Sequence, residues 1–188
     1  MPFTPLHLGP ALALGLSFRK YIHLPTFIIA NVIVDIEPFL VLVLRLNYPL
    51  HGYLHTFVFA SVLGLALSYV MFKLEKFLNS LYRSLLLVPQ KLFNFRAFAI
   101  AGILGTIIHI LLDSPLYMDI RPFYPLNINP LYNPKASFRM LIMINSICVL
   151  MGIVGLTYYA GLIIYLILKR RCIKNNNSIS ELETEISS

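Results

Sequence analysis

Charge is scarce in this chain: Asp, Glu, Lys and Arg make up 12% of its 188 residues. Tryptophan is absent, and there are only two cysteines, Cys148 and Cys172. Each shortage excludes something. So little charge beside a hydrophobic share of 58% excludes an ordinary soluble surface. The cysteines lie far apart, one inside an apolar run and one in a basic run. They read as neither a disulfide nor a cysteine-ligated metal site. No basic residue precedes the first apolar stretch, and Arg19-Lys20 follows it, which reads against a cleavable signal peptide. The net charge of +7 comes without a basic stripe interleaved with aromatics. Lys and Arg stand instead in short runs between apolar segments, a footprint of membrane topology rather than of nucleic-acid binding. Thirteen Phe and eleven Tyr supply interfacial anchors in place of tryptophan.

The apolar segments predict an all-α integral-membrane helical bundle. Four transmembrane helices are expected at about Leu24–Leu44, Gly52–Phe72, Ala97–Asp113 and Met140–Leu168. A relaxed crossing takes roughly 17–25 residues. Leu6–Phe18 falls short of that and reads as a re-entrant or partly inserted helix, with Thr4 as a candidate cap and Pro5 in its first turn. Pro38 predicts a kink or break near Glu37 in the first span. Gly152 and Gly155 predict close packing in the fourth. The basic, amphipathic stretch from Lys73 to Arg96 reads as a surface segment. The Pro-, Tyr- and Asn-rich run from Ser114 to Arg139 reads as an irregular ordered loop. Residues 1–168 form one membrane-embedded domain. Residues 169–188, basic and then acidic, read as a disordered tail. Eleven Lys and Arg residues fall on the side of that tail and four, Arg45, Arg121, Lys135 and Arg139, on the other. This bias predicts a cytoplasmic C-terminus and an inner or plasma membrane location.

Against that apolar background the ionisable residues stand out. A charged side chain at bilayer depth costs roughly 2.5–3.5 kcal/mol on insertion scales, so it faces a partner, an ion or a water cavity. His51 and His55 in HGYLHT are four apart, as are His109 and Asp113 in HILLD. On a helix that spacing puts both side chains on one face. Asp35 and Glu37 lie in NVIVDIEP and His7 in MPFTPLHLGP. At 1.5 Å per residue all of these fall in the middle or outer half of the bundle. The expected metal ligands are His7, Asp35, His51, His55, His109 and Asp113. Asp35 or Glu37 is the expected general base, and Asn31 an outer partner. Imidazole with carboxylate suits zinc first, then manganese or iron, as one ion or two. Plainer readings stand beside these: His51 and His55 at the water interface, Asp113 capping the Ser114-Pro115 turn, His23 as an interhelical hydrogen-bonder. Asp119 reads as a partner of Arg121 or of water, and Glu75 as a solvated partner of a Lys.

The four motifs MPFTPLHLGP, ANVIVDIEP, HGYLHT and GTIIHILLDSP resemble, in order and spacing, those of the predicted membrane-bound metal-dependent hydrolases, the YdjM-like inner-membrane group. The resemblance covers about residues 1–125. It implies a site built from His7, Asp35, Glu37, His51, His55, His109 and Asp113. Gly52 replaces the Arg usual after the first His of the third motif, no His follows Asp-Ile-Glu-Pro, and Thr56 comes after His55 rather than before it.

The expectation is a metal-dependent hydrolase acting on a phospho- or acyl-ester of an amphiphile at the outer bilayer half, in contact with membrane lipids. Arg121 and Arg45 are candidates for holding an anionic head group. The alternatives are a divalent-metal or proton transporter or binding protein, and a scaffold whose polar residues only knit helices together.

Overall fold

A computed structural model describes residues 5–87 and 94–187, and they are all-helical. One 3-10 turn, Pro5–His7, leads into α1, Leu8–Phe18. The others are α2 (Leu24–Ile33), α3 (Ile36–Val43), α4 (Phe57–Ser84), α5 (Phe95–Asp113) and α6 (Ser137–Ser187). Four stretches are long and apolar enough to cross a membrane: Leu24–Val43, Phe57–Ser84, Phe95–Asp113 and Ser137–Lys169. The shorter apolar α1 accompanies them. Thr4, the expected cap, lies outside the described residues.

Several boundaries differ from expectation for local reasons. The break in the first span falls at Val34-Asp35, before Pro38 rather than at Glu37. Pro38 then sits in the first turn of α3, where its missing N–H costs no hydrogen bond. The second span starts later, because Thr56 caps it: its Oγ1 accepts the N–H of Phe59. It also runs on to Ser84, absorbing the first part of the stretch read as a surface segment. Nothing between Lys73 and Ser84 is Pro or Gly, so nothing local stops it. The chain leaves α4 through Leu86 at φ 59°. The residues from Ser114 to Ala136 form the expected irregular loop. Helix α6 continues past Leu168 to Ser187, so the backbone of the tail is helical where its composition reads as disorder.

Helix α5 is the hub, packing on α2 and α4, while α1 packs on α2 and α6. Small residues make these approaches possible. A Cβ at Gly64 of α4 would meet the backbone carbon of Gly102 at 2.7 Å, and one at Gly102 would meet that of Gly64 at 2.9 Å. Ser68 joins the same seam by donating to the carbonyls of Gly64 and Phe98, each at 2.7 Å. Gly105 lets α5 meet α2 at Phe27 and Ala30. Gly155 packs on Leu12 and Ala13 of α1, the close contact expected of it. Such contacts carry helix association where lipid removes the hydrophobic drive between helices. Residues facing away, among them Val58, Val62, Ile100, Leu150 and Ile153, are exposed and apolar, as a lipid-facing surface requires.

At one end of the bundle His23 is fully buried. Its Nδ1 accepts the N–H of Thr26, and its Nε2 lies 3.1 Å from Oε2 of Glu75. It stacks on Phe98 at 4.0 Å between centroids. The His23 side chain thus caps its own helix through Thr26, where an interhelical hydrogen bond was expected, and Glu75 of α4 faces it rather than a lysine. Burial pushes the His23 pKa down to about 4, so the imidazole is neutral.

The Gly64–Gly102 seam makes a stability prediction. Gly102→Val, which forces the helices apart, should cost about 1–3 kcal/mol, read as a lower melting temperature in detergent. At Gly161 an added methyl meets nothing within 4 Å. Gly161→Ala should therefore leave melting unchanged or raise stability by up to about 1 kcal/mol.

Candidate metal centre

At the end of the bundle opposite His23, α5 terminates and α4 begins. Asp35, His55, His109 and Asp113 gather there, each buried, with one potential ligand atom apiece lying within 4.8 Å of the others. Different local structures deliver them. Asp35 stands in the break between α2 and α3. His55 closes the 3-10 turn Tyr53–His55 just ahead of α4. His109 and Asp113 lie one turn apart near the end of α5, on one face as their spacing predicts.

Outer hydrogen bonds fix the two imidazoles. His109 Nδ1 is 2.8 Å from the Asn31 carbonyl, so Nδ1 carries the proton and donates it. Its Nε2 then faces Asp35 Oδ1 at 3.3 Å and Asp113 Oδ2 at 3.4 Å. His55 Nδ1 donates to Glu37 Oε2 at 2.9 Å, which leaves Nε2 as a lone pair. Burial pushes the His55 pKa below the usual imidazole range, against the upward pull of that Glu37 bond. A neutral imidazole is the form a metal needs.

The decisive detail is what these bonds leave over. Each of the four residues keeps one buried atom without a hydrogen-bond partner: His55 Nε2, His109 Nε2, Asp35 Oδ2 and Asp113 Oδ1. An orphaned buried polar group costs about 1–3 kcal/mol, more when charged. One ligand atom from each of the four residues lies close enough to the others for the group to hold a divalent cation. Two imidazole nitrogens and two carboxylate oxygens form a donor set suited to zinc, manganese or iron.

Six residues were expected as ligands, and these four form the group. His7 and His51 lie against it instead. The His7 ring meets His109 edge-on at 4.5 Å, with Nδ1 to Nδ1 at 3.1 Å, and His7 Nε2 is 3.2 Å from Asp113 Oδ1 without making a hydrogen bond. His51 is not on a helix, so the shared helical face expected of His51 and His55 does not exist. A loop and a 3-10 turn bring their rings together at 4.7 Å all the same. Both His51 N and Nδ1 bond Asp119, Nδ1 at 3.0 Å from either carboxylate oxygen. Burial raises the Asp119 carboxyl, and the His51 bonds outweigh it and hold the pKa below the usual range. Asp119 is therefore a partner of His51, with its carboxylate still 39% exposed, where a bond to Arg121 was the other expectation. Asp113 turns its carboxylate to His7 and His109 rather than capping the Ser114-Pro115 turn.

Glu37 is placed differently from a general base. Its oxygens accept the N–H groups of Gly52 (2.9 Å) and Leu54 (3.2 Å), the Tyr48 hydroxyl (3.4 Å) and the His55 ring. Four donors hold it as the carboxylate that orients His55 and pins its loop. Asn31 contributes through its main-chain carbonyl, a role its side-chain identity does not announce. Asp119 stands 68 residues from His51, beyond the reach of any spacing argument.

Comparison with protein-family models, curated proteins and solved structures returned no match.

The geometry separates ligands from supports by metal affinity. His109→Ala or Asp113→Asn should abolish retention of a divalent metal by protein purified in detergent, read by elemental mass spectrometry. Glu37→Gln keeps the ligands but loosens His55, and should weaken metal affinity about 10–100-fold.

Proposed function

We propose that this chain is an integral-membrane, metal-dependent hydrolase acting on an ester of an amphiphilic substrate. The observation that carries this reading is the buried group of Asp35, His55, His109 and Asp113, each with a ligand atom within 4.8 Å of the others and each with a polar atom that makes no hydrogen bond. A divalent ion there, zinc by first preference, supplies Lewis acidity that activates water and polarises a scissile ester. Asp35, with an oxygen free, is the carboxylate that would accept a proton from the attacking water. The resemblance to the YdjM-like membrane hydrolases supports the same reading. The bias of Lys and Arg supports a cell-membrane location with a cytoplasmic C-terminus, which puts the site in the outer half of the bilayer.

A half-open cavity of about 270 Å³ is lined by His51, Gly52 and Thr56, and the His51 ring connects it to the buried group through His55, 4.7 Å away between centroids. Such an opening lets a lipid-borne polar group approach while its tails stay in the bilayer. Ester turnover by the reconstituted protein should require added metal, stop with chelator and fall at least about 100-fold in Asp35→Asn. A broad phospho- and acyl-ester panel with no metal-dependent turnover would count against hydrolysis.

The rival reading is divalent-metal or proton transport. It gains from the buried His23–Glu75 pair at the opposite end, a second ionisable station within the bundle. Metal-dependent flux in proteoliposomes, lost in Glu75→Gln, would favour it.

A further inference from the structure

The cavity bordered by His51 and Thr56 has walls of mixed character. Tyr48, Pro49, Tyr53 and Tyr124 form an aromatic and apolar side, and Asp119 and Arg121 supply charge. Tyr53 packs edge-on against Tyr124 at 5.2 Å between centroids. Asp119 is committed to His51 through both oxygens. Arg121 is the one cationic side chain among the lining residues.

Acyl-ester hydrolysis and phosphate-ester hydrolysis ask for different donors. A tetrahedral acyl intermediate is usually met by main-chain N–H groups aimed at its oxyanion. From His51 to Phe57, the stretch that borders this cavity, those groups are in use. His51 N bonds Asp119, Gly52 N and Leu54 N bond Glu37, and Tyr53 N bonds the Tyr48 hydroxyl. The N–H groups of His55, Thr56 and Phe57 go to the carbonyls of Gly52, Tyr53 and Pro122. Among the side chains, the Thr56 hydroxyl donates to the Tyr53 carbonyl and the Tyr48 hydroxyl to Glu37. His51 Nδ1 is engaged with Asp119. Arg121 spends one Nη1 bond on Asn127 at 3.0 Å. A guanidinium has five N–H donors in a planar fork, so it keeps the capacity for a bidentate oxyanion.

A guanidinium with donors to spare matches a phosphoryl group, whose charge is spread over several oxygens. Resting on the hydrolase reading above, we propose that the cavity is the head-group subsite for a phosphate ester of an amphiphile, its phosphate held by Arg121. Tyr53 and Tyr124 flank the organic part of the head group, and the tails remain in lipid. In the reaction the oxygen of water forms a bond to phosphorus. The phosphorus–oxygen bond to the organic part breaks, and that oxygen leaves as an alcohol carrying one proton from the water. The second proton stays with the released phosphate.

The test is binding, measured by titration calorimetry on full-length protein in detergent, once chelator-treated and once zinc-loaded. The probes are dioctanoyl phosphatidic acid, dioctanoylglycerol, octanoate and glycerol 3-phosphate. The proposal predicts that dioctanoyl phosphatidic acid binds in both forms of the protein. Arg121→Gln should weaken it about tenfold or more, and Arg121→Lys should recover part of the loss with metal content unchanged. Equal binding of dioctanoylglycerol or octanoate to the wild type would overturn it, and so would unchanged affinity in Arg121→Gln. Glycerol 3-phosphate binding as tightly as the lipid would assign the site to a free phosphate ester and overturn the amphiphile. Because the anion is measured without metal as well as with it, failure of the metal centre leaves a different signature: lipid phosphate still binds through Arg121, with no metal retained and no turnover.

Discussion

An imidazole or carboxylate in a dry helical bundle must find a partner or bear the cost of burial, and that constraint organises this molecule. At one end part of the demand is met within the protein: His23 accepts from Thr26 and faces Glu75 across 3.1 Å. At the other end it is met only halfway. Asn31 and Glu37 each accept a hydrogen bond from one imidazole and fix its tautomer. The opposite nitrogen of His109 is left facing the carboxylates of Asp35 and Asp113, and that of His55 makes no hydrogen bond. The group is costly as a fold element and well suited as a ligand cage.

The small residues of the interfaces serve that cage. Glycines 64 and 102 bring α4 onto α5, and Gly105 brings α2 onto α5. These contacts set the distance from His109 to Asn31 and Asp35 on one side and to the start of α4 on the other. The chain break at Val34-Asp35 completes the arrangement. A continuous helix would carry Asp35 at a fixed rotation with α2, whereas the break lets the carboxylate stand at the head of α3. Glu37, pinning the loop from Gly52 to His55, couples α3 to the turn that holds the second imidazole.

Much of this was legible in the sequence, because hydropathy fixes membrane spans strongly and a buried charge is rare enough to be informative. The four crossings and the short N-terminal helix follow from segment length. His109 and Asp113 meet through the helical repeat itself. His51 and His55 meet for another reason than their spacing suggests, since a 3-10 turn rather than a helix carries His55. What local pattern could not reveal were the long-range choices. Asp119 pairs with a histidine 68 positions away, and Glu37, in an acidic motif that reads as catalytic, serves to orient His55. Propensity also missed the extension of α4 beyond Phe72, because a basic amphipathic stretch reads the same whether it lies on a membrane or continues a helix.

The central claim is a cation held by two imidazoles and two carboxylates, and X-ray absorption spectroscopy on zinc-loaded protein in detergent tests it most directly. The account predicts a four-coordinate nitrogen and oxygen shell at about 2.0–2.2 Å with outer-shell scattering from two imidazole rings. A shell of water oxygens without imidazole scattering, or protein that retains no zinc, would contradict it.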